Sequence, residues 1–146
     1  MGIVAKYYPS SSKYKTPKGY IQIGETEIVN GVTGFLVKKI GDSDTHTNLP
    51  LSTISSNMYF RKDVKGVCQA RVYVGHKLFL DFDWSHNHKN ADGRIFKVGH
   101  VHVQIWNVNK DGTFSRQSAS ARSMSPLEMK KYGPILKKFC PMIKLR

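Results

Sequence analysis

From Val67 to Met124 apolar and polar residues alternate with period two, the spacing that sends successive side chains to opposite faces of a β-strand. Asp92-Gly93 is the favoured pair for a two-residue hairpin turn, and centring the turn there pairs Ala91 with Arg94, Trp84 with Val101 and Asp83 with His102. One face then carries Leu78, Leu80, Phe82, Trp84, Val101, Val103 and Ile105, and the other Asp81, Asp83, His100, His102 and Gln104. A slip of one residue would set Trp84 against His100 and mix the faces, so the hydrophobic pattern and the turn support each other.

The flanking segments extend the scheme. A three-residue loop at Gly75-His76-Lys77 adds Cys68, Ala70, Val72 and Val74 to the apolar face and puts Arg71 opposite Asp81. A three-residue loop at Lys110-Asp111-Gly112, with Gly in the left-handed position, sets Arg116 opposite Trp106, Ser118 opposite Gln104, Ser120 opposite His102 and Arg122 opposite His100. Residues 67–124 therefore read as a four-stranded antiparallel meander.

Before it, strands are expected at Tyr20 to Ile23 and Gly34 to Ile40, separated by a stretch without a clear pattern. Residues 41–57 are rich in Ser, Thr, Asp and Asn; a loop that long is functional, or mobile, or conceals a strand. Residues 1–18, with turn formers and lysines, read as an exposed basic arm. Residues 125–146 open with Ser125-Pro126-Leu127-Glu128, the capping-box spacing with Pro at the first helical position. Gly133-Pro134 predicts a kinked helix in two short pieces, because Pro134 has no amide to donate. Tyr132, Ile135, Leu136 and Phe139 are expected inward, Lys130, Lys131, Lys137 and Lys138 outward, and residues 142–145 suit a last short strand. The chain is thus read as one α+β domain over 1–146, mainly an antiparallel sheet that its N-terminal half could fold over into a sandwich or barrel, with a short kinked C-terminal helix.

Composition narrows the partners. Twenty-three Lys and Arg against 10 Asp and Glu give a formal charge of +13, and residues 110–146 hold nine basic groups and two acidic ones. Such a field attracts polyanions: nucleic acid, an anionic membrane surface or an acidic protein partner. No apolar run approaches a bilayer span. The N-terminus lacks a signal-peptide pattern, and Cys68 and Cys140 form no CxxC pair or disulfide framework, so a cytoplasmic location is expected.

The polar face supplies the candidate chemistry. His100 and His102 could exchange a proton near neutral pH, with Arg122 stabilising developing charge and Asp83 fixing the His102 tautomer, the equipment for acid/base cleavage of a phosphodiester. The same His100, His102 and Asp83 could instead share a divalent metal, since residues two apart on a strand point the same way. Otherwise no cofactor is implied. Arg71, Arg116, Trp106, Lys130, Lys131, Lys137 and Lys138 are the candidate nucleic-acid contacts, with Trp106, Tyr73 and Phe79 able to stack on unpaired bases. These residues read equally as ordinary cross-strand pairs, and the aromatics as the contact to the N-terminal half. The leading reading is binding of nucleic acid or another polyanion. The alternatives are a small His-dependent nuclease and an interaction protein or inhibitor that docks on an acidic partner surface.

Overall fold

The computed structural model describes residues 20–39, 49, 56–63, 66–84, 88–89, 95–96, 99–117 and 121–145. The expectations for the arm at 1–18, the Asp92-Gly93 turn, and Ser118 and Ser120 lie outside the described residues. The strands are β1 (Tyr20–Gln22), β2 (Glu27–Val29), β3 (Val32–Lys39), β4 (Met58–Asp63), β5 (Gly66–Val74), β6 (Lys77–Asp83), β7 (His88–Lys89), β8 (Ile95–Phe96), β9 (His102–Val108), β10 (Phe114–Arg116) and β11 (Arg122–Ser123), followed by helix α1 (Pro126–Phe139). The long strands β3, β4, β5, β6 and β9 lie side by side in that order. Short strands complete both edges: β1 and β2 share the outer side of β3, and β10 and β11 share the outer side of β9. The class is α+β, a mostly antiparallel mixed sheet with one C-terminal helix, and the sheet does not close into a barrel. Among the described residues no helix is long and apolar enough to cross a membrane.

Two features of the N-terminal half escaped the sequence pattern. Asn30-Gly31 makes a two-residue turn, with φ of 54° and 77°, that pairs Val29 with Val32; both residues tolerate the left-handed conformation that such a turn imposes. The second is that β3 and β4 run parallel, with Phe35 beside Tyr59 and Val37 beside Arg61. Parallel neighbours cannot be joined by a hairpin, which is why no turn signal links them in the sequence. Of the connection between them, Leu49 is buried with Phe35, Val37, Tyr59, Tyr73 and Leu78.

The sheet consequently has two covered faces. On one, Met58, Phe60, Ala70, Val72, Leu80, Phe82, Val101 and Val103 pack against Tyr132, Ile135 and Leu136 of α1. Gly34 lies in this layer because an added Cβ would fall 2.7 Å from Ile135 Cδ1. The other holds the Leu49 cluster, to which Tyr20, Trp106 and Phe114 add partly buried rings. Tyr73 and Trp106 therefore meet the N-terminal half.

The central register is the expected one: Asp83 pairs with His102, Phe82 with Val103 and Asp81 with Gln104. Trp84 and Val101 are buried in the same cluster, but the Trp84 carbonyl accepts from Gly99 N at 2.8 Å, so the regular ladder ends before them. In the β7–β8 ribbon Lys89 pairs with Ile95, one residue away from the register of a two-residue Asp92-Gly93 turn.

The β5–β6 connection corrects the sequence reading. Gly75 and His76, at φ of 57° and 68°, form a two-residue turn that pairs Val74 with Lys77, rather than a three-residue loop. Parity is restored by a bulge: Tyr73 pairs with Leu78 and Val72 with Leu80, leaving Phe79 without a partner. Arg71 thus does face Asp81, while Leu78 moves to the Leu49 cluster. On the other side Arg116 pairs with Trp106 as expected, around a turn with Gly112 at φ 84°. Arg122 pairs with Val103, not His100, and Ser123 with His102. The register changes between Arg116 and Arg122, so extrapolation from the turn fails there.

Helix α1 starts as the capping box requires: Glu128 N donates to Ser125 Oγ at 3.2 Å, and Ser125 N donates to Glu128 Oε1 at 2.8 Å. The predicted break at Gly133-Pro134 is absent, and α1 is continuous through Pro134. Pro134 leaves the carbonyl of Lys130, four residues earlier, without its helical donor. Asn30 Nδ2 supplies one at 2.9 Å. Residues 142–145 form a single parallel bridge, Lys144 to His100, in place of a strand. Replacing Asn30 by Ala removes both a side chain suited to positive φ and the donor for Lys130 O, and should lower stability by about 1–2 kcal/mol in urea unfolding. Asn30→Gly keeps the turn and loses only the donor, so its loss should be smaller.

Candidate functional site

On the face away from α1 the register lays polar side chains in two rows across the strands. One runs Tyr59, Arg71, Asp81, Gln104 and the other Arg61, Gln69, Asp83, His102, Ser123. Alternation dictates this, since each strand contributes residues two apart to the same face. These rows are largely withdrawn from water: Arg61, Gln69, Arg71, Asp81 and His102 are all buried.

A buried polar group is tolerated when it is hydrogen-bonded, and a buried charge when it is also paired. Arg61 Nε donates to Gln69 Oε1 at 3.1 Å, Gln69 Nε2 to Asp81 Oδ1 at 2.9 Å, and Arg71 Nη2 to Asp81 Oδ2 at 3.2 Å. Arg71 Nη1 also donates to the Leu49 carbonyl, which ties Leu49 to the sheet. The Arg71 guanidinium lies 5.5 Å from the centroid of the Trp106 ring, and that of Arg116 lies 5.9 Å from it, both at cation–π range. Burial pushes the Tyr73 hydroxyl well above its ordinary range, and the nearby Arg71 charge offsets this only in part. Tyr73 is therefore a neutral phenol at physiological pH.

The predicted site residues separate into several places. Arg71, Asp83 and His102 belong to the polar rows, with His102 only 3% exposed. His100 lies half-buried beside Lys144, where Val101 N donates to Lys144 O and Lys144 N to Gly99 O. Arg122 is drawn to the helix instead of to His100, its two Nη atoms donating to the two Glu128 oxygens at 2.7 and 2.8 Å. Trp106 and Arg116 sit at the β9–β10 edge, and the four lysines on α1. Among the described residues no group of three or more His, Cys, Asp or Glu could hold a metal ion. Arg61 and Gln69 went unnoticed in the sequence, although each falls at an alternate position in its strand.

The last of these places is the exterior of α1. At 3.6 residues per turn Lys130, Lys131, Lys137 and Lys138 fall within an arc of about 120°, and all four are exposed. Among the described residues none is paired with a carboxylate, and Glu128 on the same helix is neutralised by Arg122. Lys137 Nζ donates to Pro141 O at 3.2 Å and Ile143 O at 2.6 Å, closing the turn after the helix. Lys131 Nζ stands 5.4 Å from the centroid of the Tyr132 ring.

No known family, curated protein or solved structure matches this chain.

Asp81→Ala strands the Arg71 guanidinium in the interior without its carboxylate and should cost about 3–5 kcal/mol in urea unfolding. Arg71→Leu combined with Asp81→Leu removes both charges and should cost less than the single change. A pH dependence follows from the helix cap. Burial pushes the Glu128 carboxyl up, but hydrogen bonds from Arg122 and Ser125, with the Arg122 charge, outweigh it and hold it below the ordinary glutamate range. A carboxyl lowered by folding stabilises the protein above its unfolded-state value, and that contribution fades as pH falls through the folded one. Glu128→Gln should therefore be less stable than the parent by about 1–2 kcal/mol at neutral pH, as for loss of a cap. The gap should close in strongly acidic buffer, as followed by thermal unfolding across a pH series.

Proposed function

We propose that the protein binds nucleic acid through the outer face of α1. The observation that carries this reading is the set of four exposed lysines on one arc of a helix whose own acid, Glu128, is engaged by Arg122. The inner side of α1 is committed to the sheet through Tyr132, Ile135 and Leu136, so the lysines lie on its solvent side, where among the described residues no carboxylate pairs with them. The +13 charge of the chain acts in the same direction at longer range, attracting a polyanion before contact. Phosphates are the fitting partners because each neutralised charge releases condensed counterions, a gain independent of base sequence.

Lys130→Gln, Lys131→Gln and Lys138→Gln together test the reading, with Lys137 retained because it closes the turn after the helix. Fluorescence anisotropy with a labelled oligonucleotide over a salt series should show affinity that falls steeply with salt. The triple variant should flatten the slope of log K against log salt by about 2–3, near 0.7–0.9 per lost contact. Absence of binding at low salt, or a slope unchanged in the variant, would overturn the reading and leave an acidic protein surface as the partner to pursue.

A further inference from the structure

Beside Lys131 a half-open groove of about 200 Å3 lies between the end of the sheet and α1, lined among others by Thr33, Ser56, Met58, Val72, Val74 and Lys131. We infer that this groove receives one unstacked base of a single-stranded nucleic acid while its phosphate meets Lys131. The inference rests on the proposed function and deepens it.

The groove exists because β4 begins at Met58 while β3 and β5 run further at this end of the sheet. Its floor is apolar, since Met58 and Val72 are buried there, and Val74 forms an apolar wall that remains 57% exposed. Its other wall is held rigidly: Tyr73 N donates to Asn57 O at 3.1 Å, and Gly75 N donates to Ser56 Oγ at 2.7 Å. With Oγ engaged as an acceptor, the Ser56 hydroxyl hydrogen is left to donate. At the mouth, Lys131 Nζ is stationed near the Tyr132 ring.

Apolar floor, one hydroxyl donor and one cation at the rim suit a flat heterocycle with an anionic tether. The volume is below the roughly 300–1,000 Å3 of sites that enclose a drug-sized molecule, so one small group fills it. Charge favours a nucleotide over an acidic side chain, because Lys131 belongs to a set extending to Lys138, about 10 Å further along the helix axis at 1.5 Å per residue. Successive phosphates of one flexible single strand can follow that line. A duplex keeps its bases stacked inward and must spend a few kcal/mol to expose one, whereas a single strand offers them directly.

The test compares binding of a labelled single strand of roughly 12 nucleotides, within the usual span of single-strand sites, with that of a blunt duplex of the same sequence, at equal salt, by anisotropy. The single strand should bind at least tenfold more tightly. Val74→Glu places a carboxylate at the groove wall and should bring the single strand down to the affinity of the duplex. Val108→Glu, on β9 outside the groove, makes the same change in net charge and should preserve the preference. Equal affinity for the two forms, or equal losses in the two variants, would overturn the groove assignment while leaving the helix reading standing. If neither form binds, the helix reading falls and the groove assignment with it. Circular dichroism and unfolding of both variants establish that the fold is retained.

Discussion

Arg71 reaches Asp81 across β5 and β6 only because Phe79 takes no place in the ladder. Strand faces alternate, so a two-residue turn at Gly75-His76 without the bulge would have set Arg71 against Leu80 and turned a cation toward the α1 core. The extra residue at Phe79 restores parity for the rest of the strand. Below it the polar positions of β5, β6 and β9 fall on one face and the apolar positions on the other. The two cores follow from that parity, as do the hydrogen bond to Leu49 and the burial of the polar rows.

The polar layer and the helix exterior represent two treatments of basic charge. Inside, Arg61 and Arg71 are held by Gln69, Asp81, Leu49 and the Trp106 ring, an arrangement that fixes register and holds Leu49 against the sheet. A pair buried in this way adds little net stability relative to apolar residues, but it penalises any register that would separate its members. Outside, the α1 lysines are paired with no carboxylate among the described residues, and their charge stays available to a ligand. The residues that sequence pattern grouped into one reactive face are therefore divided between a structural interior and an exposed surface.

Helix α1 connects these parts, because each of its irregularities is met from elsewhere in the chain. Ser125 and Glu128 cap its start, Arg122 binds the capping carboxylate, Asn30 serves the carbonyl that Pro134 cannot, and Lys137 closes the turn beyond it. Gly133 belongs to the same logic, since a Cβ there would lie 2.9 Å from Leu145 Cδ1. These contacts leave Lys130, Lys131 and Lys138 facing outward and hold Lys131 at the groove.

Local chemistry was legible in the sequence. Period-two alternation gave the central register of Asp83 with His102, the Lys110-Asp111-Gly112 turn gave Arg116 opposite Trp106, and Ser125-Pro126-Leu127-Glu128 gave the start of the helix. Each depends on residues close in sequence or on strands joined by a short turn. Asn30-Gly31 carried a comparable signal that went unread. What tertiary structure alone decided involves compensation at a distance. A bulge can cancel a turn's parity, a side chain 100 residues away can serve the carbonyl beneath a proline, and Glu128 can outcompete His100 for Arg122. Above all, alternation marks one face of a strand as polar but does not say whether water or another layer of protein lies over it. Only the tertiary structure brings Leu49 onto that face against Arg71 and makes Arg71 and His102 interior residues.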